Sequence, residues 1–233
     1  LISSFHYSDG TKISDVNSDE LRIVKPLSEI SQYVIDGIIA TEDSSFYEHN
    51  GIVPKALLRA ILQEAVSSGS GATGGSTLTQ QLIKQQILTS EVTFKRKANE
   101  ILYALRLEKH FTKDQILEAY LNVSSFGRNH NGLNIAGIEE AAQGVFGVAA
   151  KDLTLPQAAY LVGMPQNPIV YTPYTNQATL KEDTSAGIER MKFVLFSMYR
   201  ENKITKQQYE EALAYDITKD FLPPKEISSD RQS

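Results

Sequence analysis

No cysteine occurs in the 233 residues, which excludes a disulfide framework. No apolar run approaches the length of about 18 residues that a membrane-spanning helix requires. Positive charge is not in excess either: 23 Lys and Arg against 28 Asp and Glu leave a net charge of -5. A nucleic-acid binder that relies on phosphate neutralisation is thereby disfavoured. The glycine-rich stretch that ends in Gly74-Gly75 lacks the lysine that would follow Gly74 in a P-loop, so a nucleotide cradle is excluded there. The chain also opens without an initiator methionine or a signal-like segment, and it reads as an excised fragment.

What is present is mostly helical patterning. Phe5, Tyr7, Ile13 and Val16 flank Asp9-Gly10, a strong hairpin signal, so a small β-hairpin is expected within residues 1–27. Everything after Ser28 looks helical. Ile30, Val34 and Ile38, joined by Ile35 and Ile39, recur at helical spacing. Pro54 opens a segment whose Leu57, Leu58, Ile61, Leu62 and Ala65 form a wide apolar stripe, a core face or an apolar approach surface. Thr112 with Gln115, Thr154 with Gln157 and Thr205 with Gln208 each have capping-box spacing and mark three helix starts. Ile188, Met191, Val194, Leu195 and Met198 trace a late helix, and Pro223-Pro224 closes the regular region. The main body is placed at 28–215, with a small-residue loop expected to be mobile at about 67–76 and a linker at 216–233.

Chemistry concentrates first at Glu42-Asp43-Ser44-Ser45-Phe46-Tyr47-Glu48-His49-Asn50-Gly51, directly after the first apolar helix. A carboxylate where packed scaffold meets a cleft is partly desolvated and suited to accept a proton from a hydroxyl. A solvated acidic turn would read the same way in isolation. A second concentration is Arg96-Lys97-Ala98-Asn99-Glu100: Arg96 and Glu100 are four apart and Lys97 and Glu100 three apart, on one helix face. Phe94, Ala98, Ile101, Leu102 and Leu105 are assigned to the opposite, apolar side. Two cations beside one carboxylate suit a pyrophosphate, although an ordinary intrahelical ion pair has the same spacing.

The first stretch has the form Glu-Asp-x-x-Phe-x-x-His-x-Gly, and four blocks follow it in order: Gly74-Gly75-Ser76-Thr77-Leu78-Thr79-Gln80-Gln81, the Arg96 block, Ile116-Leu117-Glu118-Ala119-Tyr120-Leu121-Asn122, and Arg190-Met191-Lys192-Phe193-Val194-Leu195. Together these resemble the five motifs of the peptidoglycan glycosyltransferases, glycosyltransferase family 51, found in class A penicillin-binding proteins and their monofunctional relatives. The resemblance runs from about Leu21 to about Arg200. It implies a mainly α-helical, two-lobed, lysozyme-like fold and an enzyme that polymerises lipid II into glycan strands with inversion, releasing undecaprenyl pyrophosphate. By this resemblance Glu42 is the general base. Arg96 and Lys97 hold the pyrophosphate, Ser76, Thr77 and Gln80 contact donor phosphate and sugar, and Asp43 and Arg190 join the substrate site. Glu100 matches a second essential glutamate that either organises the cations or helps hold a divalent metal, Mg or Mn; no organic cofactor is implied. Phe46 is read as a core anchor, His49 as structural and the fourth block as scaffold.

The same resemblance implies lipid II and a lipid-linked glycan chain as partners, together with the outer face of the bacterial cytoplasmic membrane as location. A transmembrane helix and a transpeptidase domain are expected in the full-length protein, and no nucleic acid. No Ser-x-x-Lys or Lys-Thr-Gly is present, so this stretch holds no transpeptidase residues. Residues 127–137 look longer than the family pattern, and Val145-Phe146-Gly147 stands where Tyr-Phe-Gly is common. Two other functions fit parts of the pattern: a lysozyme-like enzyme that cleaves glycan with paired carboxylates, and an inactive cell-wall binding module. The Arg96-Lys97 pair favours the transferase, since cleavage of a neutral sugar linkage needs no pyrophosphate clamp.

Overall fold

The computed structural model describes residues 5–6, 12–14, 23–66, 75–86 and 94–224. The chain divides into two compact units, one formed by Leu1–Arg22 with Glu42–Leu121 and the other by Ile23–Thr41 with Asn122–Ser233. Helix dominates both.

In the first unit β1 (Phe5–His6) pairs antiparallel with β2 (Lys12–Ser14), as a hairpin there requires. Its expected Asp9-Gly10 turn lies outside the described residues, as do residues 67–74 of the expected mobile loop. The helices are α2 (Pro54–Val66), α3 (Leu78–Gln86), α4 (Phe94–His110) and α5 (Lys113–Val123), which runs two residues past the unit boundary. Pro54 is the first helical residue of α2, where its missing N–H has no partner to lose. Leu58, Ile61 and Leu62 of that helix are exposed, at 58%, 45% and 57%, so this part of the stripe is not core, while Leu57 is half-buried. Thr112 caps α5 as its spacing predicts: its Oγ accepts from Gln115 N at 3.1 Å and its own N–H donates to Gln115 Oε1 at 2.9 Å.

Helix α4 departs from the sequence expectation. Its buried face is Glu100, Ala104 and Leu107, while Ala98 and Leu102 are exposed and Ile101 and Leu105 half-buried. Apolar residues lie on both sides of this helix in sequence. Which side turns inward is decided by α3, which packs on it.

The second unit starts on the N-terminal side of α1 (Gln32–Glu42), whose Val34, Ile38 and Ile39 are buried as the periodicity predicts. Burying each such side chain contributes about 1.5–3 kcal/mol. At Gly37 an added Cβ would sit 3.3 Å from Val162, so the absent side chain lets α1 approach α7 (Leu155–Val162) closely. Nearly every residue of α7 is buried, and it packs on α9 (Ser185–Arg200) through Met191, Val194, Leu195 and Met198. Thr154 with Gln157 and Thr205 with Gln208 form the expected capping boxes at α7 and α10 (Lys206–Ala214). The short helices α6 (Ile138–Ala141) and α8 (Pro168–Tyr171) complete the set.

Two features of this unit escaped the sequence reading. The stretch at 127–137 contains a second antiparallel pair, β3 (Ser125–Arg128) with β4 (Asn134–Ala136). These strands are too short to show alternation. Their turn is held by Asn129, whose Oδ1 accepts from the N–H groups of Asn131 and Leu133 at 2.9 and 3.1 Å, and Gly132 takes the left-handed φ of 77°. Residues 216–222, expected to be linker, pack onto this unit: Ile217 and Phe221 are buried, Phe221 stacks on Phe146 with centroids 6.0 Å apart, and Tyr174 Oη donates to Leu222 O at 2.6 Å. Burial pushes the phenols of Tyr160 and Tyr174 well above their ordinary range. Asn122, the last residue of the fourth motif, clamps Lys25 at both backbone groups, each at 2.9 Å. Residues 23–27 are therefore tied into this unit.

Candidate active site

Glu42 is the final residue of α1 and is half-buried. Gln81 on α3 donates from Nε2 to Glu42 Oε2 at 3.3 Å and to Ser76 O at 3.4 Å. Ser76 faces a second charged group: Lys97 Nζ on α4 donates to Ser76 Oγ at 3.1 Å and to Glu100 Oε1 at 2.9 Å. Serine 76 thus stands between a carboxylate, reached through an amide, and an ammonium. The Glu100 side chain is 3% exposed and that of Lys97 36%. The carboxylate is therefore held inside while the cation reaches solvent, where it can meet an anion. Arg96 precedes Lys97 on α4 and is half-buried.

Asp43, Thr77 and Gln80 have a different place from the one their motifs imply. Asp43 is 7% exposed, and its Oδ2 accepts from His49 Nε2 at 2.6 Å and from the Leu78 amide at 3.1 Å. It ties the turn after α1 to the N-terminus of α3. Thr77 is the cap of α3: its Oγ accepts from Gln80 N at 3.1 Å and its N–H donates to Gln80 Oε1 at 3.0 Å. This is the capping-box geometry, and with exposures of 2% and 0% neither side chain faces solvent. Thr77 Oγ also donates to Gly51 O at 2.6 Å. Gly51 has a φ of 111° and lies against Ala104, where a Cβ would fall 2.8 Å from the carbonyl oxygen, so only glycine fits. Of the second-motif residues assigned to substrate, Ser76 alone keeps a half-open position.

His49 is structural, as expected. Its Nδ1 accepts from Gly51 N at 2.9 Å, which leaves Nε2 to carry the proton donated to Asp43. Beyond it, Lys113 Nζ lies 2.6 Å from Glu108 Oε1, which also accepts from Thr79 Oγ at 2.7 Å, and the same ammonium sits 4.7 Å from the Phe46 ring centroid. This buried ionic cluster had no sequence signal, since Glu108 and Lys113 lie outside every motif. Arg190 belongs to the second unit, where Nε donates to Gly163 O at 3.3 Å and the guanidinium stacks 5.1 Å from Phe193 and 5.9 Å from Tyr171.

Among the described residues no group of three or more His, Asp or Glu side chains converges as a metal site. The neighbour of Glu100 is an ammonium, a donor set that fits an ion pair rather than a metal centre. No helix among the described residues is long and apolar enough to cross a membrane.

The family model described as Transglycosylase matches residues 9–199, which takes in every residue of this site. The chain belongs to the transglycosylase family. Relatives of this transglycosylase include penicillin-binding protein 1B of Haemophilus influenzae, 40% identical over 194 residues that cover 83% of this chain and 24% of the relative. Penicillin-binding protein 1A of Clostridium botulinum is 37% identical over 214 residues, 90% of this chain and 25% of the relative. Penicillin-binding protein 2D of Bacillus subtilis is 35% identical over 206 residues, 88% and 28% respectively. The transglycosylase chain therefore spans about a quarter of the length of these relatives. A crystal structure of penicillin-binding protein 1A from Haemophilus influenzae aligns with a TM-score of 0.49 at 23% identity, over 92% of this chain and 20% of that one.

Proposed function

We propose that this transglycosylase domain is a peptidoglycan glycosyltransferase that polymerises lipid II at the outer face of the bacterial cytoplasmic membrane. The observation that carries the reading is Ser76, bonded through its carbonyl to the amide that holds Glu42 and through its hydroxyl to Lys97. A base and a cation beside one residue are what inverting transfer from a pyrophosphate needs. Glu42 takes the proton of the acceptor sugar hydroxyl as that oxygen attacks the donor anomeric carbon. The bond from that carbon to the lipid pyrophosphate breaks, and the electron pair leaves with the phosphate. Lys97, with Arg96 beside it, meets the charge that accumulates there, and Glu100 keeps the ammonium in place. Cations placed in advance need no reorganisation during the reaction.

The relatives' names support a larger protein in which a penicillin-binding domain accompanies this one. The exposed Leu58, Ile61 and Leu62 of α2 form the approach surface for a lipid-linked substrate.

The test is polymerisation of labelled lipid II by the wild-type chain and by Glu42→Gln, with folding checked by thermal melting. Loss of glycan product by about 10²–10⁴-fold at an unchanged Tm is expected. Clearing of purified peptidoglycan by a wild-type chain that makes no polymer would instead identify a lytic enzyme.

A further inference from the structure

Gln81 holds the proposed base, and Tyr120, read from the sequence as scaffold, meets it there. Tyr120 on α5 is fully buried, and its Oη donates to Gln81 Oε1 at 3.2 Å. Gln81 Nε2 in turn faces Glu42 Oε2 and Ser76 O. Both of those atoms are acceptors, so the amide must present its NH2 to them and its oxygen to the phenol. A flipped amide would set its oxygen against a carboxylate and a carbonyl at once. The tyrosine hydroxyl then donates to Oε1, and that bond holds the amide in this orientation.

From this geometry we infer that Gln81 and Tyr120 form a positioning relay that aims the Glu42 carboxylate. The inference rests on Glu42 being the base. The relay is uncharged throughout. An amide orients a carboxylate and leaves its charge in place, whereas Lys97 cancels the charge of Glu100 across 2.9 Å. Bonds of 3.3 and 3.4 Å are long for hydrogen bonds, and contacts of this kind tighten when substrate closes over the base.

The experiment measures lipid II polymerisation by Gln81→Ala, Tyr120→Phe and the double variant, each with a melting curve. Tyr120→Phe retains the buried ring and deletes only the hydroxyl. Gln81→Ala is expected to lower kcat by about 10- to 100-fold with KM within about twofold, as for loss of one hydrogen bond to a charged group. Tyr120→Phe lowers kcat by about three- to tenfold in the wild-type background and has no further effect once Gln81 is alanine. A merely structural tyrosine would lower Tm and give additive losses, and that result overturns the relay, as does a change confined to KM. Glu42→Gln in the same assay separates the two failures. If it is inactive while the Gln81 and Tyr120 variants do not couple, the relay alone falls; if it polymerises normally, the base assignment falls and the relay with it.

Discussion

Among the described residues helices α4 and α9 are the two longest, at 17 and 16 residues, and they use their faces in different ways. In α9 the inward stripe is Met191, Val194, Leu195 and Met198, an apolar seam at helical spacing. Its exposed Phe193 and Phe196 lie under the guanidinium groups of Arg190 and Arg200. In α4 the inward stripe begins with Glu100, and Leu102 is left 55% exposed. A buried carboxylate paired with a partly exposed lysine contributes little to stability, because desolvation offsets most of the attraction. The difference shows what each helix is placed for: α9 holds a core together, and α4 holds a cation at a fixed point.

The comparison can be broken from either side. Glu100→Leu removes one partner of the pair, but the Lys97 left behind is 36% exposed and can turn its ammonium to water, so the chain should stay folded with a loss below the about 3–5 kcal/mol of a fully buried pair. Polymerisation should nevertheless fall by about 10²–10³-fold, as when one preorganised electrostatic group is lost. A large drop in Tm together with retained activity would reverse the roles given to α4. Leu195→Ala should do the opposite, destabilising by about 2–5 kcal/mol in denaturant melts while kcat measured well below the transition stays within a few-fold. The smallest effect on stability is expected from Leu58→Ser with Leu62→Ser on exposed α2, within about 0.5 kcal/mol per site. Binding to phospholipid vesicles should weaken in that variant; vesicle binding equal to wild type would remove α2 from the lipid approach.

The second motif shows where the sequence reading reached its limit. Ser76, Thr77 and Gln80 are nearly adjacent and equally polar, yet the fold gives them unlike roles. Thr77 and Gln80 have the same Thr-x-x-Gln spacing that correctly marked three other helix starts, and the ligand reading of the motif hid a fourth cap. Gln81 closes the second block, yet nothing in that block points to the residues it meets. Its partners Glu42 and Tyr120 are each 39 residues away in sequence, so nothing local could connect them.

Those caps, the α1 and α9 periodicities and Pro54 at the start of α2 were legible because each depends on residues within one or two helical turns. The order of the five motifs also carried the family, since order along a chain survives without coordinates. Tertiary structure alone decided which face of α4 turned inward, that Ile217 and Phe221 joined the core, and that Asp43 braces a turn while Glu42 faces the amide of Gln81. Burial is a property of neighbours brought together by folding, and a polar side chain takes its role from what it meets there.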